Sequence, residues 1–109
     1  MQFNPNTGQL TVQDLNSLSD ATLKEDIQVI DDPFSILNSL AGVGFNWIDN
    51  GRKSYGLLAQ AVEKVIPALV SENAQGNKTV NYIPIIAFLI EAVKKQQRDI
   101  EELKKDKYS

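Results

Sequence analysis

The sequence predicts an α+β protein, in which a small body of β-hairpins and short helices precedes one long C-terminal helix. The body is predicted from pairs of apolar runs joined by turn residues, with short helical patterns between them. The long helix is predicted over Pro84 to Lys107, because no Gly or Pro follows Pro84 in that stretch. Its apolar residues repeat at coiled-coil spacing, so we expect a parallel coiled coil between copies of the chain.

Composition limits the classes of partner and chemistry. The 109 residues carry a net charge of -3 with acidic and basic residues mixed, so we expect neither nucleic acid nor a membrane surface as a partner. The absence of histidine and cysteine excludes a Ser-His-Asp triad, a Cys-His pair and nearly every zinc site. We therefore expect no cofactor. No apolar run approaches the roughly 20 residues of a membrane helix, and polar residues after Met1 predict no secretory signal.

Residues 1–18 are polar and rich in turn residues. Asn4-Pro5-Asn6-Thr7-Gly8 predicts a turn, and the alternation through Leu10 and Val12 predicts one short strand. This stretch has too few apolar side chains to form a core. We interpret it as the end of a preceding fold.

The body of the fold begins near Gln28. Val29 and Ile30 predict a strand. Asp32 and Pro33 predict the N-cap and first residue of a helix that ends at Gly42. A hairpin with the turn Asp49-Asn50-Gly51 follows.

The remainder of the body is predicted as a helix and a second hairpin. The helix covers Ala59 to Ile66, and the hairpin loop runs from Ser71 to Asn77. For the aromatic residues Phe45, Trp47 and Tyr55 we expect core packing in preference to a ligand-binding role.

The long helix carries a heptad seam. Its a and d positions step by three and four residues, with polar Gln96 at one d position and Lys107 at the last a position. Asp99 and Lys104 would pair between parallel neighbours. The residues at a and d do not decide between a dimer and a trimer. The first half is apolar nearly all round, adding Ile85, Phe88 and Ile90, so we expect it to be buried against the body. The seam consists of Ile86, Leu89, Val93, Gln96, Ile100 and Leu103.

Ser19 and Lys24 are the candidate catalytic residues. A serine hydroxyl needs a base to become a nucleophile, and a neutral lysine can serve. Residues five apart lie about 140° apart around a regular helix, so the two could meet only if the chain turns irregularly between them. The alternative is that Ser19 is the N-cap of an ordinary helix whose apolar residues are Leu23 and Ile27.

Four landmarks resemble one protein family. They are Ser19-Asp20-x-x-Leu23-Lys24-x-x-Ile27, Phe45-x-Trp47 leading to Tyr55-Gly56-Leu57-Leu58-Ala59-Gln60-Ala61-Val62-Glu63, Pro67-x-Leu69-Val70, and Val80-Asn81-Tyr82 ahead of Glu91-Ala92-Val93-Lys94. Together they resemble the C-terminal intramolecular chaperone domain of phage endosialidases, tailspikes and tail fibres, also found in the myelin regulatory factor family. The resemblance covers about residues 17–105.

The resemblance implies a homotrimer that assists folding of the preceding fibre and then cuts itself free. It assigns Ser19 as nucleophile and Lys24 as general base, with cleavage between Leu18 and Ser19 or between Ser19 and Asp20. It implies that 1–18 ends the fibre or spike and that 19–109 is the chaperone domain, with its globular part at 19–82 and its coiled-coil helix at 83–107. The partners would be the chain's own copies and its own fibre domain.

The resemblance also implies a location. Assembly would take place in the host cytoplasm, and the parent protein would reside in the virion tail. Many members carry a basic residue between the Ser-Asp and the Leu-Lys, whereas Ala21 and Thr22 stand here, a departure that bears on the efficiency of cleavage.

Two other functions stand beside self-cleavage. The same fold could be a permanent trimeric cap or assembly module without cleavage. A general hydrolase is the less favoured alternative, because nothing in the sequence predicts a ligand pocket with converging polar groups.

Overall fold

A computed structural model describes residues 2–5 and 8–108, except for the side chain of Tyr108. The fold is α+β, as predicted, with three two-stranded antiparallel sheets and a long C-terminal helix. The strands and α-helices are β1 (Gln2–Asn4), β2 (Gln9–Thr11), α1 (Pro33–Leu37), β3 (Val43–Asn46), β4 (Lys53–Gly56), α2 (Ala59–Val65), β5 (Val70–Glu72), β6 (Lys78–Val80) and α3 (Ile83–Tyr108).

The N-terminal hairpin pairs β1 with β2, so that Phe3 lies opposite Leu10. One strand was predicted here, and β1 was missed because Gln2-Phe3-Asn4 holds a single apolar residue and shows no alternation. Part of the predicted turn, at residues 6 and 7, lies outside the described residues. The hairpin and the turn between β3 and β4 enclose a cleft of about 350 Å³, lined by Pro5, Gly8, Gln9, Trp47, Asp49, Asn50 and Arg52.

An irregular tether covers residues 12–32 and contains one 3-10 turn, Ala21–Leu23. The strand predicted at Val29 and Ile30 is wrong, since no strand lies alongside to pair with them. These two residues instead line a groove with Ala87 and Ile90 of α3. Val29 and Ile30 thus lie beside α3 and not beside a strand, with Val29 still 75% exposed.

Helix α1 begins as predicted. The Asp32 carboxylate accepts a hydrogen bond from the Ser35 backbone N–H at 3.3 Å, and Pro33 occupies the first turn. The helix ends at Leu37, ahead of the predicted end at Gly42. Ser39 and Leu40 continue as tight turns, donating to the carbonyls three residues earlier.

The two hairpins of the body are confirmed, although the loop of the second is shorter than predicted, because Ser71 and Glu72 belong to β5. Val43 pairs with Gly56 across the first hairpin, and Val70 pairs with Val80 across the second. Helix α2 lies between them. Pro67 follows this helix and begins a 3-10 turn, Pro67–Leu69. An ion pair between Lys78 and Glu63 joins β6 to α2.

The junction of β4, β6 and α3 is built on Tyr82. The Tyr82 hydroxyl accepts a hydrogen bond from the Leu57 backbone N–H at 3.0 Å and donates to the Leu57 carbonyl at 3.4 Å. A Cβ atom at Gly56 would lie 2.8 Å from that hydroxyl. The Tyr55-Gly56-Leu57 and Val80-Asn81-Tyr82 landmarks, 25 residues apart, thus meet at one contact.

The buried core is small. Within the described residues, the buried hydrophobic side chains are Val62, Leu69 and Ala92. Core packing was the wrong prediction for Trp47 and Tyr55, which are 49% and 76% exposed. Tyr55 lies opposite Gly44, on the other face of the hairpin from Phe45 and Trp47, so the two side chains are exposed on different faces. Phe45 is half-buried and meets Trp47 edge to face, with ring centroids 5.1 Å apart.

Helix α3 has 26 residues and is about 39 Å long. It packs on α1, where the Lys95 ammonium lies 5.6 Å from the Phe34 ring centroid. Its first half is only partly buried, which corrects the prediction for that half. Ala92 is buried, but Ile90 remains 52% exposed. In the described part of the chain, no helix is long and apolar enough to cross a membrane.

Candidate active site

The candidate site is formed by one tight turn in the tether. Ala21–Leu23 form a single 3-10 turn, closed by the Leu23 and Lys24 backbone N–H groups donating to Asp20 and Ala21 carbonyls, both at 3.1 Å. The residues on either side, Asp20 and Lys24, are extended. The chain therefore reverses within six residues without forming a regular helix.

This reversal brings the two predicted site residues together. Lys24 Nζ donates a hydrogen bond to Ser19 Oγ at 2.8 Å. The contact requires an irregular turn between the two residues, and the 3-10 turn Ala21–Leu23 provides it. Both side chains are exposed in the single chain, so the contact depends on the local conformation of the tether and not on a surrounding pocket.

Asp20 caps the turn. Its Oδ1 atom accepts hydrogen bonds from the Thr22 backbone N–H at 2.9 Å and from the Thr22 hydroxyl at 2.8 Å. These two bonds, the backbone one first, hold the pKa of the Asp20 carboxyl below its ordinary value of 3.8. The alternative in which Ser19 caps a helix is therefore wrong, since Asp20 has that role and Ser19 contacts Lys24.

The interaction between Asp20 and Thr22 was not predicted from the sequence. Asp is among the residues that bond the backbone two positions ahead in a turn, and the hydroxyl at that position adds a second donor. An aspartate followed two residues later by threonine is thus the signal that could have revealed it.

The predicted cleavage position is accessible. Leu18 is 82% exposed, and Leu23 and Ile27 are 67% and 70% exposed. A row of apolar side chains therefore flanks the Ser19–Lys24 pair on the tether, with nothing of the described chain covering them.

The concave surfaces of the body lie elsewhere. One open apolar concavity of about 630 Å³ is lined by Gly42, Val43, Gly44, Tyr55, Gly56, Leu57, Tyr82 and Ile85, and includes neither Ser19 nor Lys24. The described residues contain no group of three or more acidic side chains placed to hold a metal ion.

The six predicted seam residues all lie on α3. The five apolar ones are 46–68% exposed, and Gln96 is exposed among them. They form a stripe that is apolar except at Gln96 and that the described residues leave largely uncovered.

The described chain thus combines a serine–lysine turn, a hairpin body with a small core and a helix with an exposed apolar stripe. Residues 19–71, just under half of the chain, match the family described as the chaperone of endosialidase. This segment of the chain belongs to that family, so the resemblance drawn from the four landmarks is confirmed.

A relative covers more of the chain. The long tail fibre protein Gp37 of Salmonella phage S16 is 37% identical over 111 residues, which include 90% of this chain. The chain spans 15% of the length of that relative. It is thus similar to a small part of a much longer fibre protein.

Proposed function

We propose that this chain is an intramolecular chaperone domain that trimerises, assists the folding of a preceding phage tail fibre or tailspike, and then cuts itself free at Ser19. The observation that carries the proposal is the 2.8 Å contact between Lys24 Nζ and Ser19 Oγ. The family match and the similarity to a long tail fibre protein support the chaperone role. Residues 1–18 would then be the end of the fibre or spike, and residues 19–109 the chaperone domain.

The proposed division follows the elements of the fold. The globular part is 19–82, which contains α1, α2 and two hairpins, and the coiled-coil helix is 83–107. The parent protein would belong to the virion tail, and the domain would act in the host cytoplasm during assembly. Its partners would be two further copies of itself and its own fibre.

The cleavage chemistry uses the bond next to the nucleophile. Neutral Lys24 takes the Ser19 hydroxyl proton while Oγ bonds to the Leu18 carbonyl carbon. The bond from that carbon to the Ser19 nitrogen breaks, and the nitrogen receives the proton from Lys24. Water then hydrolyses the ester, leaving a carboxylate on Leu18 and the restored hydroxyl on Ser19.

A lysine acts as a base only in its neutral form, and removal of water favours that form. The exposed Leu18 and Leu23 side chains beside the pair offer an apolar surface that a neighbouring copy can cover. Cleavage would then follow assembly, because the base becomes effective only once the tether is covered.

The exposed seam of α3 supports the trimer. Three parallel copies of α3 would bury the stripe, with Gln96 forming one polar layer among apolar ones. Joining three chain ends in this way raises their effective concentration for the fibre ahead of them. That matters because β-structure shared between chains forms slowly and exposes strand edges meanwhile. Removal of the clamp afterwards leaves the fibre kinetically trapped.

The test compares the parent chain with Ser19→Ala and Lys24→Ala, by intact mass after prolonged incubation. Self-cleavage predicts a fragment from the parent alone, and its mass distinguishes a start at Ser19 from a start at Asp20. Matched controls are Ser17→Ala, on the same tether, and Lys64→Ala, an exposed lysine of α2; both should cleave like the parent.

If the parent stays whole while it forms a stable trimer, the Ser-Lys assignment fails and the non-cleaving assembly module is the better function. If Ser17→Ala is as inactive as Ser19→Ala, the nucleophile has been misassigned.

A further inference from the structure

Lys24 contacts the Ser19 hydroxyl. The carboxylate of Asp20, four residues before Lys24 and next to Ser19, is a competing partner on the same turn. A carboxylate beside a lysine amine stabilises the charged ammonium, which cannot accept a proton from serine. The self-cleavage proposed above therefore depends on which neighbour Lys24 takes.

The structure shows Asp20 engaged elsewhere. Asp20 Oδ1 accepts both the backbone N–H and the hydroxyl of Thr22. Asp20 and Lys24 are both described, and they form no ion pair within 4 Å. One residue, Thr22, thus supplies both hydrogen bonds that hold the carboxylate in the turn.

We propose that Thr22 is a positioning residue that retains the Asp20 carboxylate in the turn and so leaves Lys24 to Ser19. This inference rests on the proposed self-cleavage. The threonine hydroxyl is the donor that an apolar residue of similar shape would lack.

The first test does not need cleavage. In a Ser19→Ala background, a water-soluble carbodiimide joins a carboxylate to a contacting amine, and peptide mass spectrometry quantifies the bond between Asp20 and Lys24. Thr22→Val keeps the backbone donor and loses the hydroxyl, so we expect about 3- to 10-fold more of this bond than in the parent background. Thr22→Ser, which keeps the hydroxyl, should match the parent background. Equal yields in the Val and Ser variants would overturn the proposal.

The second test measures the first-order rate of cleavage with Ser19 present. Thr22→Val should cleave about 3- to 10-fold more slowly than Thr22→Ser, with an unchanged oligomeric mass. Asp20→Asn removes the competing charge while keeping an oxygen acceptor. The Asp20→Asn/Thr22→Val double variant should therefore cleave as fast as Asp20→Asn alone.

The two tests separate the two proposals. A double variant as slow as Thr22→Val, or a Thr22→Val variant as fast as the parent, contradicts the role of Thr22 while self-cleavage stands. If the parent never cleaves, self-cleavage fails, and the carbodiimide yields alone decide whether Thr22 holds Asp20 away from Lys24.

Discussion

At Gly56 one added methyl group would meet the hydroxyl of Tyr82 at 2.8 Å. That distance is closer than ordinary packing allows, and the hydroxyl cannot retreat without losing its hydrogen bonds to Leu57. Gly42 offers a matched comparison, because an added Cβ there would meet no atom within 4 Å and its φ is not in the left-handed region. Two glycines of one short segment thus differ in what an alanine would meet.

We expect Gly56→Ala to lower the free energy of unfolding by about 1–3 kcal/mol, while Gly42→Ala changes it by less than about 1 kcal/mol in either direction. Thermal unfolding at fixed protein concentration measures both. In a Tyr82→Phe background the nearest atoms to the new methyl group are 3.8 Å away, so Gly56→Ala should cost less there. An equal cost in both backgrounds would show that the hydroxyl is not the obstacle.

Asp20 gives a prediction about acid. Its folded pKa is lowered by the two bonds from Thr22, so their stabilisation is complete above the ordinary value of 3.8 and is lost as the pH falls through the lowered pKa. Carbon-13 NMR of the Asp20 carboxyl in a Ser19→Ala chain should give a midpoint below 3.8. Thr22→Val should move this midpoint upward, though not fully, because the backbone bond remains. A midpoint at or above 3.8 in the Ser19→Ala chain that keeps Thr22 would contradict the hydrogen bonds from Thr22 to Asp20.

At the scale of elements, α3 separates into a half that meets the body and a half that does not. Lys95 reaches Phe34 of α1, and beyond it the only apolar side chains before Tyr108 are Ile100 and Leu103, which are 46% and 68% exposed. An isolated helix of such polarity gains little from burial. We therefore expect contacts along the seam to stabilise this half of α3.

Ile100→Asn should therefore weaken oligomer formation. Arg98→Asn introduces the same residue outside the seam and should leave oligomer formation unchanged. Loss of one isoleucine from a buried layer costs about 2–5 kcal/mol per chain. Sedimentation equilibrium measures the shift towards monomer. In the self-cleaving function, Ile100→Asn should also slow cleavage of the intact tether. Equal association constants for the two variants would show that Ile100 does not belong to the seam.

The sequence predicted elements best where local chemistry decides them. Asp32 with Pro33 marked the start of α1, and Asp49-Asn50-Gly51 marked the first hairpin turn. It failed at Val29 and Ile30, because an apolar pair does not reveal whether it will meet a strand or, as here, α3. At the candidate site, Ser19 and Lys24 were proposed from their chemistry and lie in contact, while the contact between Thr22 and Asp20 was missed.

The whole molecule is much more extended than a self-contained domain. Its radius of gyration is 18.3 Å, against about 13 Å for a compact chain of this length. Its accessible surface is 9357 Å², against roughly 6,000 Å² for a folded monomer of 12.1 kDa. Many large hydrophobic side chains are exposed on it, and we expect other copies of the chain to bury them.

Sedimentation equilibrium of the Ser19→Ala chain should give three times the 12.1 kDa chain mass, and its melting temperature should rise with protein concentration. The concentration dependence follows because association contributes to the free energy of unfolding. A mass of one chain with a concentration-independent melting temperature would contradict the trimer and leave the exposed seam without an explanation.

The cleft beneath the N-terminal hairpin has an optical consequence. Trp47, the chain's single tryptophan, lines that cleft together with Pro5, Gly8 and Gln9, and it is half-exposed there. Departure of the hairpin would change the solvent exposure of the indole and hence the wavelength of its emission maximum. Intrinsic fluorescence of Trp47 should therefore report, in real time and without an attached dye, whether the N-terminal hairpin remains in place.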